Sequence, residues 1–346
     1  MMRCFFVLLA MLTTLKSFAA PSTQGHGVIL LYHHVAVDTP PSTSISPEKF
    51  KEHLEFLRDN NYSVIALDKM IKSVREGTYL PDKSVAITFD DGYSSIYETA
   101  FPLLKSFGFP FTLFLSTGPI DREQRNYMSW EQVREMSDNE VIIANHMVEH
   151  PYMLEKQPQE SQNDWLNRLE TELLIAETRI KEETGKSHRF LAYPYGEFDT
   201  PIKTVLEENN FIGFAQNSGA IGHNSDFLAL PRFPLASIYA NLETAKIKLA
   251  SKSFDVQLIE PDSPVTAKRD PTTTLQFNPK KHNLSQIGCF ANSQPLPMNW
   301  IDKTDGIVRL EPTQIYEGRR WRYICTAPVP GEDRFYWYSV QWIKID

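Results

Sequence analysis

The chain has 346 residues, 42% of them apolar and 23% charged, with a formal net charge of −8. That length has room for two domains and an ordinary buried core. The acidic balance excludes a generic nucleic-acid binder, which needs a basic face.

In chain order, Arg3, the apolar run Cys4–Leu12 and the small residues before Pro21 read as a secretory signal peptide over residues 1–20, cleaved near Ala19-Ala20. The apolar run is far shorter than the ~20 residues of a spanning helix, and no later stretch is a transmembrane candidate. A secreted or periplasmic location is expected. Cleavage leaves Cys289 and Cys325 as the remaining cysteines, and two cysteines in an exported chain predict one disulfide.

From Val28 to about Gln216, short apolar runs alternate with amphipathic stretches. The runs are Val28–Tyr32, Val64–Leu67, Val85–Phe89, Phe111–Leu115, Val141–Ala144, Phe190–Tyr193 and Phe211–Ala215. Between them, Ser46-Pro47 predicts a helix start, Asp68 caps a short helix, and Ser129 with Gln132 spells a capping box. Asp164 to Thr184 sets Leu166, Leu169, Leu173, Ala176 and Ile180 on one helical face, and Gly185 ends it. Such alternation implies a parallel sheet with helices outside it. After Lys252 the texture changes: Pro261, Pro264 and Pro271 read as a linker over 251–272. The remainder, 273–346, is strand-like and aromatic, and predicts a small β-sandwich stapled by Cys289–Cys325.

Chemistry concentrates in Thr88-Phe89-Asp90-Asp91-Gly92-Tyr93. Two adjacent carboxylates repel unless a cation or a shared proton relieves them. A metal for one and a proton-transfer role for the other would do so, and His146 and His150 supply further ligands. Asp90, Asp91, His146 and Tyr193 all fall just past predicted strand ends, the edge where (β/α) barrels build their sites.

Asp-Asp followed by His-x-x-x-His resembles the polysaccharide deacetylase family, carbohydrate esterase family 4 with the NodB homology fold. Thr88–Tyr93 matches its first motif residue for residue, and His146/His150 matches its second, with Met147 where Ser or Thr is usual. Ala192-Tyr193-Pro194-Tyr195-Gly196 matches the third, with Ala192 in place of the usual Arg. That departure, together with Leu30-Leu31-Tyr32-His33-His34, resembles the poly-N-acetylglucosamine deacetylase branch. The resemblance covers roughly residues 27–240 and implies a distorted (β/α)7 barrel over 21–250.

It also implies a set of roles. Asp91, His146 and His150 would hold one divalent ion, zinc by preference with cobalt or nickel acceptable. Asp90 would be the general base and the Tyr93 N–H an oxyanion donor. His33 takes the place of the general acid, with His223 as the alternative; His34 is expected to face away by strand alternation. Tyr193, Pro194, Tyr195 and Arg232 are candidate sugar contacts, and Arg232 would also orient Asp90 as the missing third-motif Arg would. The implied activity is hydrolysis of N-acetyl groups on a polysaccharide or oligosaccharide of poly-N-acetylglucosamine, chitin or peptidoglycan type; O-acetyl esters are further possible substrates. Two other readings compete. His146-Met147-Val148-Glu149-His150 also spells an inverted zincin peptidase with Glu149 as base, and a catalytically degraded barrel would leave a carbohydrate-binding or matrix protein.

Overall fold

The computed structural model describes residues 25–345, so the expected signal peptide lies outside the described residues. Seven strands form the path of the first sheet: β1 (Gly27–Tyr32), β2 (Ser84–Phe89), β3 (Phe111–Leu115), β4 (Ile142–Asn145), β5 (Phe190–Ala192), β6 (Ile212–Phe214) and β7 (Ala220–Ile221). Their order is β7-β1-β2-β3-β4-β5-β6. All neighbours on this path are parallel except β7, which runs antiparallel to β1. The strands from β1 to β4 are buried at every residue, as expected where both faces are covered. Leu30, Tyr32, Ile87, Phe89 and Leu113 point into one core, while Ile29, Ala86, Phe114 and Ala144 point into the other. The sheet curls into a half-barrel, and Phe233–Pro234, paired with β1, narrows the gap between its edges.

Six of the seven expected runs lie on this path. The exception, Val64–Leu67, contributes only the two-residue strand Ser63–Val64 beside the first half of β2. The seventh place is taken by β7, which is too short to register as a periodic pattern.

Helix starts follow the sequence signals closely. Ser46 caps Pro47–Asp59, Ser129 and Gln132 form a reciprocal capping box on Trp130–Asp138, and Gly185 terminates Gln162–Thr184 in the left-handed region at φ 71°. Leu67–Glu76 differs: its cap is Ala66, without a side-chain bond, and Asp68 sits in the first turn, where it meets the positive helix end. Among the described residues, no helix is long and apolar enough to cross a membrane.

The C-terminal region holds a six-stranded and a four-stranded sheet. Leu275, Phe277, Val308 and Leu310 of the smaller sheet share one core with Tyr323, Cys325 and Trp342 of the larger. Cys289 and Cys325 lie directly opposite each other on paired strands and are disulfide-bonded. The expected linker is a departure. Residues 251–272 carry the strands Ser251–Ser253, Val256–Glu260 and Val265–Thr266, which pair into the two sheets. Prolines are tolerated at strand ends and edges, so their presence there masked the strands. Ile343, in the final strand, packs with Leu191 and Tyr193 of the first sheet's outer core.

Candidate active site

The site assembles past the C-terminal ends of β2, β4 and β5. Asp90 extends the strand ladder, its N–H bonding the Tyr32 carbonyl at 3.0 Å. At Asp91 the chain turns sharply: Asp91 has φ 78° and Gly92 φ 93°. Positive φ at a non-glycine residue is strained and clusters at functional sites. A Cβ at Gly92 would lie 3.2 Å from Leu115 Cβ, so the turn also needs the missing side chain.

This turn swings Asp91 towards the two imidazoles. Asp91 Oδ1 lies 3.1 Å from His146 Nε2 and 3.3 Å from His150 Nε2. One ligand atom from each of the three falls within 4.8 Å of the others. Asp91 Oδ1 and His146 Nε2 are buried and neither makes a hydrogen bond. Buried polar atoms are normally satisfied, so an orphaned oxygen facing an orphaned ring nitrogen fits a cation held between them. The opposite ring nitrogen of His146, Nδ1, lies 2.7 Å from the Ala192 carbonyl. Donation to that carbonyl fixes the tautomer that leaves Nε2 as a free ligand. The third-motif Ala thus serves the site through its backbone.

Electrostatics agree with this grouping. Burial alone would push the Asp91 carboxyl up, yet the imidazoles of His146, His33 and His150 hold it below the usual carboxylate range. Burial also lowers His150 to about 4, helped by the neighbouring His146. His146 goes the other way: despite burial, Asp91 and Asp90 raise it.

Asp90 is fully buried, and Arg232 grips it with two parallel bonds of 2.7 Å. Arg232 Nε in turn donates to the Ala215 carbonyl at 2.9 Å, and the guanidinium sits 5.2 Å from the centroid of the Phe114 ring. Burial would raise the Asp90 carboxyl; the Arg232 charge outweighs it and keeps the group ionised. Arg232, itself wholly buried, cannot touch a sugar, so its expected place among the sugar contacts is corrected to a hold on Asp90.

Two other sugar-contact expectations are corrected. Tyr193 is wholly buried, stacks on Phe198 and donates its hydroxyl to the Leu228 carbonyl at 2.7 Å. Pro194 is buried as well. Tyr195 alone of the three reaches the site: its ring meets His150 edge-on at 4.4 Å and stacks flat on Tyr152 at 3.9 Å. Tyr152 escaped the sequence reading, although it stands two residues after His150.

His33 is partly exposed, and its charge bears on Asp90, Asp91 and His150. His34 does not simply face away. The strand breaks at His33, so alternation does not carry across it, and the His34 ring stacks on Tyr93 at 3.7 Å. The bridge to Tyr127 uses the Gly92 carbonyl and the Ser94 N–H, and neither bond consumes the Tyr93 N–H. His223 follows β7, whose Ile221 pairs with Gly27 at the start of β1, so it lies at the opposite end of the sheet from Asp90. The zincin reading fails on geometry. His146–His150 is not helical, Met147 and His150 have φ 66° and 53°, and Glu149 is paired with Arg122 at 2.6 Å.

Comparison with known proteins agrees with this geometry. Residues 78–213 match the family model described as polysaccharide deacetylase. This stretch is a polysaccharide deacetylase domain. It contains Asp90, Asp91, His146, His150 and Tyr195, while His33, Arg232 and the C-terminal sheets fall outside it. Over 197 residues the chain is 27% identical to the poly-beta-1,6-N-acetyl-D-glucosamine N-deacetylase of Staphylococcus epidermidis, covering 55% of this chain and 67% of that one. The enzyme of the same name from Escherichia coli K12 is 22% identical over 228 residues, 56% of this chain but 34% of its own length. Among solved structures, Streptococcus pyogenes deacetylase PplD, in complex with acetate, superposes with a TM-score of 0.58 at 22% identity, covering 66% of this chain and 99% of that one. IcaB from Ammonifex degensii gives 0.56 at 24%, covering 65% and 98%. The deacetylase fold is therefore shared by the first sheet and its helices.

Proposed function

We propose that the protein is an exported, metal-dependent de-N-acetylase acting on poly-β-1,6-N-acetylglucosamine or its oligomers. One observation carries this reading: the convergence of Asp91 Oδ1, His146 Nε2 and His150 Nε2, with a buried carboxylate, Asp90, beside them. The names of the S. epidermidis and E. coli relatives support the choice of polymer. The expected signal peptide supports export, and N-terminal sequencing of protein recovered outside the cytoplasm tests it.

Two imidazoles and one carboxylate suit zinc, with cobalt or nickel acceptable to the same donors. A divalent ion there would polarise the acetyl carbonyl and lower the pKa of water. The chain's own groups would do the rest. Asp90 accepts the proton of the attacking water; Arg232 occupies both carboxylate oxygens, but each keeps a further lone pair. Arg232 keeps Asp90 ionised at some expense in basicity. The Tyr93 N–H faces the negative charge that develops on the carbonyl oxygen. His33 gives a proton to the departing nitrogen as the C–N bond breaks, so that acetate and a free amine leave. Tyr195 and Tyr152 form a stacked wall beside His150 that the sugar would meet. We read the C-terminal sheets as a β-sandwich attached to this domain.

The test is acetate release from β-1,6-linked N-acetylglucosamine oligomers, with chitin oligomers, peptidoglycan fragments and acetylated xylan in parallel. Release from the β-1,6 series that a chelator stops and zinc or cobalt restores is the expected result. Binding without chelator-sensitive release from any of them would overturn the enzyme reading in favour of a carbohydrate-binding protein.

A further inference from the structure

The loop Tyr195-Gly196-Glu197, whose first residue stacks beside the metal ligand His150, is held from the far end of the chain. Arg320 Nη1 donates to the Tyr195 carbonyl at 2.5 Å, and Gln341 Nε2 donates to the Gly196 carbonyl at 2.6 Å. Arg319 forks onto both Glu197 oxygens at 2.7 and 2.8 Å, and Glu197 is wholly buried. Three consecutive loop residues are thus bound by three side chains of the C-terminal region.

The rings carry the same connection. The Arg319 guanidinium lies 4.9 Å from the Tyr152 centroid and that of Arg320 5.6 Å from the Tyr195 centroid. The two arginines therefore lie against the stacked tyrosine pair while Arg320 bonds the Tyr195 carbonyl and Arg319 the Glu197 carboxylate. Tyr195 needs such support: at φ 57° its backbone is in the left-handed region, which a tyrosine adopts only when its surroundings over-determine it.

Resting on the function proposed above, we propose that Arg319 and Arg320 are positioning residues of the deacetylation site: they fix the Tyr195–Tyr152 wall against His150, and so make the C-terminal sheets part of the substrate groove. Neither arginine touches the reacting atoms. Their effect passes through the loop to the ring packed on His150, and from there to the ligand's orientation and the groove's width.

The two arginines do different work, and this makes the proposal testable. Arg320 makes one hydrogen bond, to the Tyr195 carbonyl, with its Nε 3.7 Å from a Glu197 oxygen, and a lysine can supply both a donor and the charge. Arg319 makes a planar two-bond fork to a buried carboxylate, which a lysine cannot reproduce. The experiment uses the full chain with Arg319→Ala, Arg319→Lys, Arg320→Ala and Arg320→Lys, each checked for an intact disulfide and a cooperative melt. Cobalt affinity is read by visible absorption, and KM and kcat on a β-1,6 N-acetylglucosamine pentamer. Both alanine variants are expected to weaken cobalt binding about tenfold, the lower end of what loss of a ligand's supporting contacts costs, and to raise KM more than they lower kcat. Arg320→Lys should recover most of the loss and Arg319→Lys little.

Folded variants with wild-type cobalt affinity and wild-type KM would overturn the proposal. So would equal losses in lysine and alanine variants that merely track the melting temperature. If the wild type released no acetate from any glycan while cobalt affinities still split as described, the glycan reading would fall and the positioning role would stand.

Discussion

Arg232 and Asp90 form a closed pair: two parallel bonds of 2.7 Å join side chains that are both wholly buried. Removing one partner strands the other charge without solvent. Arg232→Ala should therefore destabilise the fold by about 3–5 kcal/mol, measured by chemical denaturation. Activity should fall about 10²-fold or more as the base loses its orientation. The double variant Arg232→Met, Asp90→Asn should recover stability without recovering acetate release.

The metal site makes a separate prediction. Ligand binding to the native state alone stabilises it by mass action, about 2.7 kcal/mol at a hundredfold excess over Kd. Zinc should raise the melting temperature of the wild type, and Asp91→Asn or His150→Ala should abolish that rise. A chelator should lower the wild-type value back to that of the variants.

Acid sensitivity should come in part from His53, a buried histidine of the helix Pro47–Asp59. Its Nδ1 lies 3.0 Å from the Tyr32 hydroxyl, and burial lowers it from 6.5 to about 4, with Lys248 and Lys49 adding to the effect and the Ala240 carbonyl opposing it. A depressed folded-state pKa means the unfolded chain binds the proton first. The stability tied to a neutral His53 is thus complete above pH 6.5 and drains away as pH falls towards 4. Denaturation midpoints across that range should fall less steeply in His53→Gln.

Glu149 separates the deacetylase from the peptidase that its motif also spells. Its carboxylate is held by Arg122 at 2.6 and 2.8 Å, on a half-exposed surface. Glu149→Gln should leave acetate release within about threefold of the wild type, the scale of an exposed ion pair.

The disulfide closes a separation of 36 residues. Replacing both cysteines by alanine should lower stability by about 4 kcal/mol in the chain-entropy picture. Calorimetry with and without reductant measures it.

Local pattern revealed what local physics decides. The capping box at Ser129, the stop at Gly185 and the buried runs that became β1 to β6 all follow from neighbouring residues. The paired carboxylates and the two histidines were legible because electrostatic repulsion demands an explanation wherever two acids adjoin. What escaped depends on three-dimensional return. The Tyr193-Pro194-Tyr195 string does not say which ring turns inward, and a left-handed residue at Tyr195 reverses the ordinary alternation. The prolines of 251–272 looked like a spacer because pairing with a strand some eighty residues later leaves no trace nearby. Nothing near Arg319 and Arg320 announces their role, since Glu197 lies 122 residues from Arg319 along the chain.

That long reach has a temporal side. A ribosome delivering this chain releases Asp90, Asp91, His146, His150 and Arg232 well before residue 319. Until the last two long strands, Arg320–Pro328 and Phe335–Lys344, have paired, nothing from the C-terminal sheets secures Tyr195. These side chains are thus made early and the enclosure of Tyr195 late, which delays a finished groove until the strands Arg320–Pro328 and Phe335–Lys344 have emerged and paired.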